Sequence, residues 1–407
     1  MPGRAEVGTA MLTPRSESEA IDIIRAASAA GTTLEIVGGG TRRGLGNLVE
    51  TQEKLSSSAL TGIAAYNPAE MVMTARAGTP LSIITAALDE NRHMLAFEPP
   101  DYRGIYGSEG EPTIGGLFAG NFSGPRRFQS GAARDHLLGV RFINGFGEAV
   151  SAGGRVMKNV TGLDLVKLMA GSFGTLGFMT ELTFKVLPRP ETAVTVVLSG
   201  LHDEDASWAM SHALSKSVEV TGAAYLPESC KWQFLASQLP EGPATLLRLE
   251  GLAFSVEERL ARLKSAFPSA TLSVLDKDES ATLWQEIRDV KPFFADGRPR
   301  PLWKVSVAPN AGHQLLSALR MQTGVDGYYD WQGGLLWLRM EAEPEADMLR
   351  AGIKHFGGGH ATLMRATDDQ RRSIAVFEPQ APAVAALSAR IREKFDPAGI
   401  FNPGRMG

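Results

Sequence analysis

Runs of glycine leave backbone N–H groups uncovered, and such groups can converge on phosphate oxygens. This chain has one run at Gly38-Gly39-Gly40-Thr41-Arg42-Arg43-Gly44, directly after Thr33 to Val37, whose alternation reads as a strand. A dinucleotide fingerprint starting at Gly38 needs glycine where Arg43 stands, and a P-loop from Gly39 needs lysine where Leu45 stands. Neither pattern is met. Taken alone, a run of this kind is more often a structural turn.

Other residues could do chemistry. His355-Phe356-Gly357-Gly358-Gly359-His360 places two histidines near each other, but glycines separate them and no nearby carboxylate completes a ligand set, so no metal is assigned. Tyr328, Asp330 and Arg339 lie beside strand-like segments and could line a pocket. The catalytic residues are left unassigned, with His360, Arg339 and Tyr328 as the candidates. Cys230 is the single cysteine. It excludes an internal disulfide and an iron-sulfur cluster ligated wholly by this chain.

The elements that must position these residues divide the chain. Ser16 and Glu19 form a capping box before a helix over about 17–30, which ends at Gly31. Strands are expected at Met71 to Ala75, at Gly139 to Asn144 paired with Glu148 to Ser151 through Gly145-Phe146-Gly147, and at Glu181 to Leu187. Thr79-Pro80 offers a cap and first position for a helix ending near Glu90. From Gly104 to Gly177 glycine and small residues recur between apolar positions, as close backbone approach requires. Pro188-Arg189-Pro190 is a natural boundary. Beyond it, strands at Ala193 to Leu198, Thr245 to Leu249, Trp303 to Val307 and Gly334 to Met340 alternate with helices at Glu204 to Lys216, Val256 to Ala266 and Gly312 to Met321. That alternation suggests an α+β unit around an antiparallel sheet. A last helix spans Pro382 to Lys394.

Composition sets bounds. The 407 residues exceed one ordinary core, and 43% hydrophobic with 21% charged residues is the make-up of a globular protein. A net charge of -4 with scattered Lys and Arg gives no footprint for nucleic acid. No apolar stretch reaches bilayer length, and residues 1–15 lack the apolar region of a signal peptide, so a cytoplasmic location is expected.

Read together, the glycine-rich segments carry a specific resemblance. Val37 to Arg42, Glu98-Pro99-Pro100, Pro112-Thr113-Ile114-Gly115-Gly116, Ala119-Gly120-Asn121-Phe122-Ser123-Gly124-Pro125 and Gly131-Ala132-Ala133-Arg134-Asp135 follow the order seen in the vanillyl-alcohol-oxidase family, whose FAD-binding domain is called PCMH-type. Lys158-Asn159-Val160-Thr161-Gly162-Leu163-Asp164, Gly171 to Glu181, Asp330-Trp331-Gln332-Gly333-Gly334 and Asn402-Pro403-Gly404-Arg405 are similar to the FAD-binding accessory subunits of bacterial glycolate oxidases. The resemblance covers essentially the whole chain and is strongest over 33–187.

The resemblance implies an α+β fold with a PCMH-type domain of two α/β subdomains over 1–190, a cap over 191–370, and a segment 371–407 returning to the first domain. It implies FAD, wrapped at the pyrophosphate by Val37, Gly38, Gly39, Gly40, Thr41 and Arg42. The cofactor would further be lined by Pro99, Thr113, Ile114, Gly115, Gly116, Ala119, Asn121, Ser123, Gly124, Gly131, Arg134 and Asp135, with Gly174, Thr175, Gly177 and Phe178 closing over the adenine. Some members attach flavin through histidine or cysteine, but no histidine precedes His93, so noncovalent FAD is expected. The implied function is electron transfer within a glycolate-oxidising complex. Its partners would be a catalytic FAD subunit and an iron-sulfur subunit, its substrate a small 2-hydroxy acid, and its membrane contact at most peripheral. Two alternatives stay open: a self-sufficient dehydrogenase for glycolate or D-lactate, and a scaffold with a degenerate flavin fold. Arg134-Asp135 also reads as a surface ion pair.

Overall fold

The computed structural model describes residues 10–154, 163–295 and 297–407. Lys158 to Gly162 of the motif ending at Asp164 lie outside them, as do the first nine residues.

The first helix, Glu17–Ala30, forms as its caps dictate. Ser16 Oγ accepts from the Glu19 amide at 3.1 Å, the Glu19 carboxylate accepts from the Arg15 amide at 2.7 Å, and Gly31 ends the helix at φ 67°. Its buried face, Ala20, Ile24 and Ala27, packs with Leu34 and Leu55 of a small parallel sheet. In that sheet Glu53–Ser56 lies between Ala10–Leu12 and Leu34–Val37. The C-terminal segment joins it: the Leu34 amide donates to Ile400 O at 2.7 Å, and the Asn402 amide donates to Leu34 O at 3.0 Å.

A second, antiparallel sheet runs in the order Ile63–Asn67, Val72–Arg76, Phe178–Lys185, Leu137–Ile143, Ala149–Gly153. The strands expected here fall within three residues of these bounds. The helix expected from Thr79-Pro80 starts one residue later, as Leu81–Asp89. Thr79 does not cap it, because its hydroxyl is engaged with Arg76 O at 2.6 Å and with the Gly62 amide at 2.9 Å.

Beyond Pro190 the described residues build an antiparallel sheet of eight strands, twice the number expected. The order is Thr271–Leu275, Thr192–Ser199, Ala244–Gly251, Gly222–Leu226, Val325–Asp330, Leu335–Met340, Leu302–Val307, Gly359–Arg365. Its two faces belong to two cores. Val196, Leu198, Tyr225, Leu247 and Leu338 face the helices Asp203–Leu214, Ala253–Ser265, Gly312–Arg320 and Ala346–His355. Val197, Leu226, Leu246, Tyr328 and Trp337 share a core with Phe97, Tyr102, Phe118 and Phe184 of the N-terminal part. Burial on both faces explains why Leu335 to Leu338 is an unbroken apolar run.

Candidate cofactor site

The glycine loop leaves the C-terminal end of Leu34–Val37 and opens onto a cleft. Val37 to Arg42, Thr113, Gly115, Gly116, Ala119, Gly174, Gly177 and Phe178 all line it. Among the described residues, no protein acceptor takes the amide hydrogens of Gly38, Gly39, Gly40, Thr41 or Arg42. These five amides belong to residues that line a space a ligand with several oxygens would fill. Glycine is required by close approach: a Cβ on Gly39 would lie 1.6 Å from Glu111 O, and one on Gly115 would lie 2.7 Å from Ala77 O. Gly40 sits at φ 72°, where a side chain is strained.

The charge around the cleft is positive. Glu35, 5% exposed, accepts from Arg43 Nε and Nη2 at 2.9 and 2.7 Å and from Arg405 Nη2 at 3.2 Å, so one acid meets two guanidinium groups. A third, Arg42, stacks over Phe122 at 4.6 Å, donates through Nη2 to Pro100 O at 2.7 Å, and keeps its Nε buried without a partner. Burial lowers its pKa. Tyr106 Oη and Ser172 Oγ are likewise buried without a partner. An unpaired buried donor costs free energy unless something accepts from it. The amides of Gly38 to Arg42 and the positive charge of Arg42, Arg43 and Arg405 at the cleft fit the diphosphate of a dinucleotide.

Other residues expected at the cofactor brace the cleft from behind. Asn121 Oδ1 accepts from the Arg134 amide at 2.9 Å, Ser123 Oγ from the Ala133 amide at 2.9 Å, and Asp135 Oδ2 from the Ala132 amide at 2.9 Å. Asp135 thus serves its own turn, which begins at Gly131 with φ 88°. Gly124 O accepts from Trp331 Nε1 at 2.9 Å, Thr175 Oγ1 donates to Ser172 O at 2.7 Å, and Ile114 is fully buried. Pro99 lines a neighbouring groove. Among the cleft residues not assigned to the cofactor from the sequence are Glu35, Asn402 and Arg405. Asn402 Oδ1 accepts from the Ile36 amide at 2.9 Å and its Nδ2 donates to Phe173 O at 2.8 Å, clipping the loop at 171–177 to the strand before the glycines. Arg405 Nη1 donates to Leu45 O at 2.9 Å.

The catalytic candidates are not gathered together. Tyr328 is fully buried and its hydroxyl donates to Ile287 O at 2.9 Å. Arg339 pairs with Asp326 at 3.3 Å and lies over Phe293. His355 ends a helix, whereas His360 is exposed on the edge strand of the large sheet. Near His360 the sheet carries an unforeseen cluster. Lys304 lies 5.1 Å from the Trp331 ring, whose other neighbour is Arg127 at 4.5 Å; burial pulls its ammonium down to about 8. Burial pushes the Asp330 carboxyl up to about 7. At the junction of the two parts, Glu98 pairs with Arg248 at 2.8 Å, and Arg126 with Glu250 at 2.7 Å. Burial raises the Glu98 pKa, but Arg248 and Arg126 more than reverse it.

A family model described as an FAD binding domain matches residues 9–153. Glycolate oxidase subunit GlcE of Escherichia coli (strain K12) is 35% identical over 387 residues, covering 92% of this chain and 93% of that protein. The chain belongs to the FAD-binding family of GlcE. Its cofactor is FAD, and it is an FAD-linked oxidoreductase by kinship. Glycolate oxidase subunit GlcD of Bacillus subtilis (strain 168) is 30% identical, over 76% of this chain and 70% of that protein. D-lactate dehydrogenase of Anaerostipes hadrus is 24% identical, over 92% and 83%. The fold is that of PCMH-type flavoproteins. The solved p-cresol methylhydroxylase superposes with a TM-score of 0.71 at 14% identity, over 98% of this chain and 88% of that one.

Proposed function

We propose that this chain is the FAD-binding subunit of a glycolate-oxidising complex, holding FAD without a covalent bond and passing electrons from 2-hydroxy acid oxidation to a partner. The observation that carries this reading is the near full-length similarity to GlcE in a chain whose open amide cradle suits a dinucleotide. When bound, FAD supplies the redox chemistry that side chains cannot. The chain's own residues do the holding: Gly38 to Arg42 donate to the diphosphate, Arg42 adds charge, and Glu35, Asn402 and Arg405 fix the loop. Among the described residues no histidine or cysteine lines the cleft, which supports noncovalent attachment. The division into 1–190, 191–370 and 371–407 accompanies this reading, supported by the C-terminal contacts to Leu34, Ile36 and Leu45.

Electron relay is favoured over catalysis by this chain alone, because Tyr328 and Arg339 are engaged in packing and in an ion pair. Cys230 is buried, and burial holds its thiol well above the usual range, so it is no cluster ligand. The partners are then a catalytic FAD subunit and an iron-sulfur subunit. No helix among the described residues is long and apolar enough to cross a membrane. Membrane contact in this reading runs through the partners, from the cytoplasmic side.

The test is an absorption spectrum. The purified chain should show flavin bands, acid precipitation should release all flavin to the supernatant, and glycolate added to the isolated chain should leave the bands unchanged. Flavin retained in the pellet contradicts noncovalent binding, and bleaching by glycolate promotes the self-sufficient dehydrogenase.

A further inference from the structure

The inner face of the large sheet changes character at its last two strands. Along Leu302–Val307 and Gly359–Arg365 successive side chains point to opposite sides. Trp303, Val305, Ala361 and Leu363 enter the core under the outer helices, whereas Leu302 and Met364 turn into the core shared with the N-terminal part. On that second side stand Lys304, Ser306, His360 and Thr362. Pairing sets Lys304 between Trp337 and Thr362, and Ser306 opposite His360. Among the described residues none of these four side chains has a hydrogen-bond or ion-pair partner, and none of their polar atoms is sealed from solvent. They open beside the cofactor cleft. Trp331, 5.1 Å from Lys304, donates to Gly124 O, two residues after Phe122 of the cleft wall. Phe377 meets Phe173 of the same wall at 5.1 Å, and the adjoining Glu378 accepts from the Ala361 amide.

Two cations at this face lack an anion. Lys304 and Arg127 both lie against the Trp331 ring, at 5.1 and 4.5 Å, and Arg127 has no hydrogen bond or ion pair from its side chain among the described residues. An ammonium that has left water for two indole rings and a second cation costs free energy that a bound anion would recover. That anion is small, because Lys304 is half-buried and Trp331 is 8% exposed. It carries a single charge, because Asp330 is near enough to Lys304, and Glu378 to His360, for each to act on the other's charge, and both would repel a second. A carboxylate meets these terms and matches the guanidinium fork. Beside the cations, the Ser306 and Thr362 hydroxyls offer uncharged partners. So does the His360 imidazole, whose pKa is lowered by partial burial of its ring, by Lys304 and by Arg127.

We propose that this face binds a small 2-hydroxy carboxylate, with Lys304 and Arg127 on the carboxylate and Ser306, Thr362 and His360 around the hydroxyl. The ligand class rests on the proposed function, whereas the site itself rests on the sheet face and does not need FAD. Binding is not oxidation, which the relay reading leaves to the assembled complex.

The full chain tests it, titrated by calorimetry with sodium glycolate, with sodium acetate, which lacks the hydroxyl, and with glycolamide, which lacks the charge. Glycolate should bind about fivefold tighter than acetate, the usual worth of one neutral hydrogen bond, and glycolamide should not bind. Lys304→Met keeps the length of the side chain and removes its charge, and Arg127→Met does the same on the other side. Each should weaken glycolate about tenfold or more, as the loss of a charge-assisted hydrogen bond requires. The urea midpoint of Lys304→Met should hold or rise, because a desolvated ammonium without a counter-ion has gone. No glycolate binding by the unaltered chain, binding no tighter than acetate, or unweakened binding in both variants overturns the site. So does lost binding with a lowered midpoint in Lys304→Met, which marks the lysine as structural. Glycolate binding by a chain that takes up no FAD supports the site and overturns the cofactor reading instead.

Discussion

Gly39 and Gly115 are glycines because neighbouring backbone carbonyls stand where a β-carbon would go, and this reason is independent of any ligand. Valine at either position should displace the loop or the Thr113–Gly116 turn and reduce FAD content at least tenfold. Flavin absorbance per chain, with circular dichroism to confirm folding, reads this; full flavin content in both variants would contradict the placement of the loops. Asp330, 2% exposed, makes a separate prediction. Its folded pKa of about 7 exceeds the unfolded value near 4, so the folded state alone holds the proton between them and stability falls as pH rises through that window. His136, held down to about 4 by burial, acts in the opposite sense from about pH 4 to 6.5. The comparison with Asp330→Asn isolates the aspartate: relative to that variant, the native chain should lose about 2–4 kcal/mol from pH 4 to pH 7. Parallel denaturation profiles would refute it. Of these residues the glycines and Asp330 were singled out in the sequence, but the burial of the aspartate was not legible there. Lys304 inside Leu302–Val307 was a visible interruption of an apolar strand, but its burial depends on Trp331 and Trp337, which come from neighbouring elements.

At the scale of elements, the C-terminal segment is a clip. Asn402 bonds both the strand before the glycine loop and the loop at 171–177, and Asp396 accepts from the Ile400 and Phe401 amides at 3.1 and 2.8 Å. Asn402→Ala leaves the Ile36 amide and the Phe173 carbonyl without these partners. It should lower stability by about 1–3 kcal/mol and weaken FAD binding, read from urea midpoints and flavin titration; unchanged values in both would show that the clip is incidental. The closing motif was visible in sequence, yet its place at the cleft was not, because Asn402 and Ile36 meet only through tertiary structure. Local chemistry made other elements legible, such as the Ser16 cap and the Gly145-Phe146-Gly147 turn. The strands Gly222–Leu226, Val325–Asp330 and Gly359–Arg365 escaped notice because glycine, aspartate or histidine within them masks the β pattern, and sheet pairing overrides that weak local preference. Helix Lys277–Arg288 carried a readable capping box, Asp276 with Glu279, that the sequence reading passed over.

At the scale of the molecule, the large sheet and the N-terminal part share one apolar core, with Tyr102 against Trp337 at 5.8 Å between ring centres and the Glu98–Arg248 pair beside them. The N-terminal part and the large sheet are thereby held in one arrangement. The relay reading makes the chain's redox chemistry dependent on partners, since electrons have no cluster ligated wholly by this chain to enter. The most direct measurement is turnover of glycolate and D-lactate with an artificial dye acceptor, by the FAD-loaded chain alone and then with a catalytic flavin subunit and a cluster-bearing subunit added. The account predicts negligible turnover alone and turnover only in the reconstituted complex. Rapid turnover by the isolated chain would contradict it and make His360 and Arg339 the first residues to mutate.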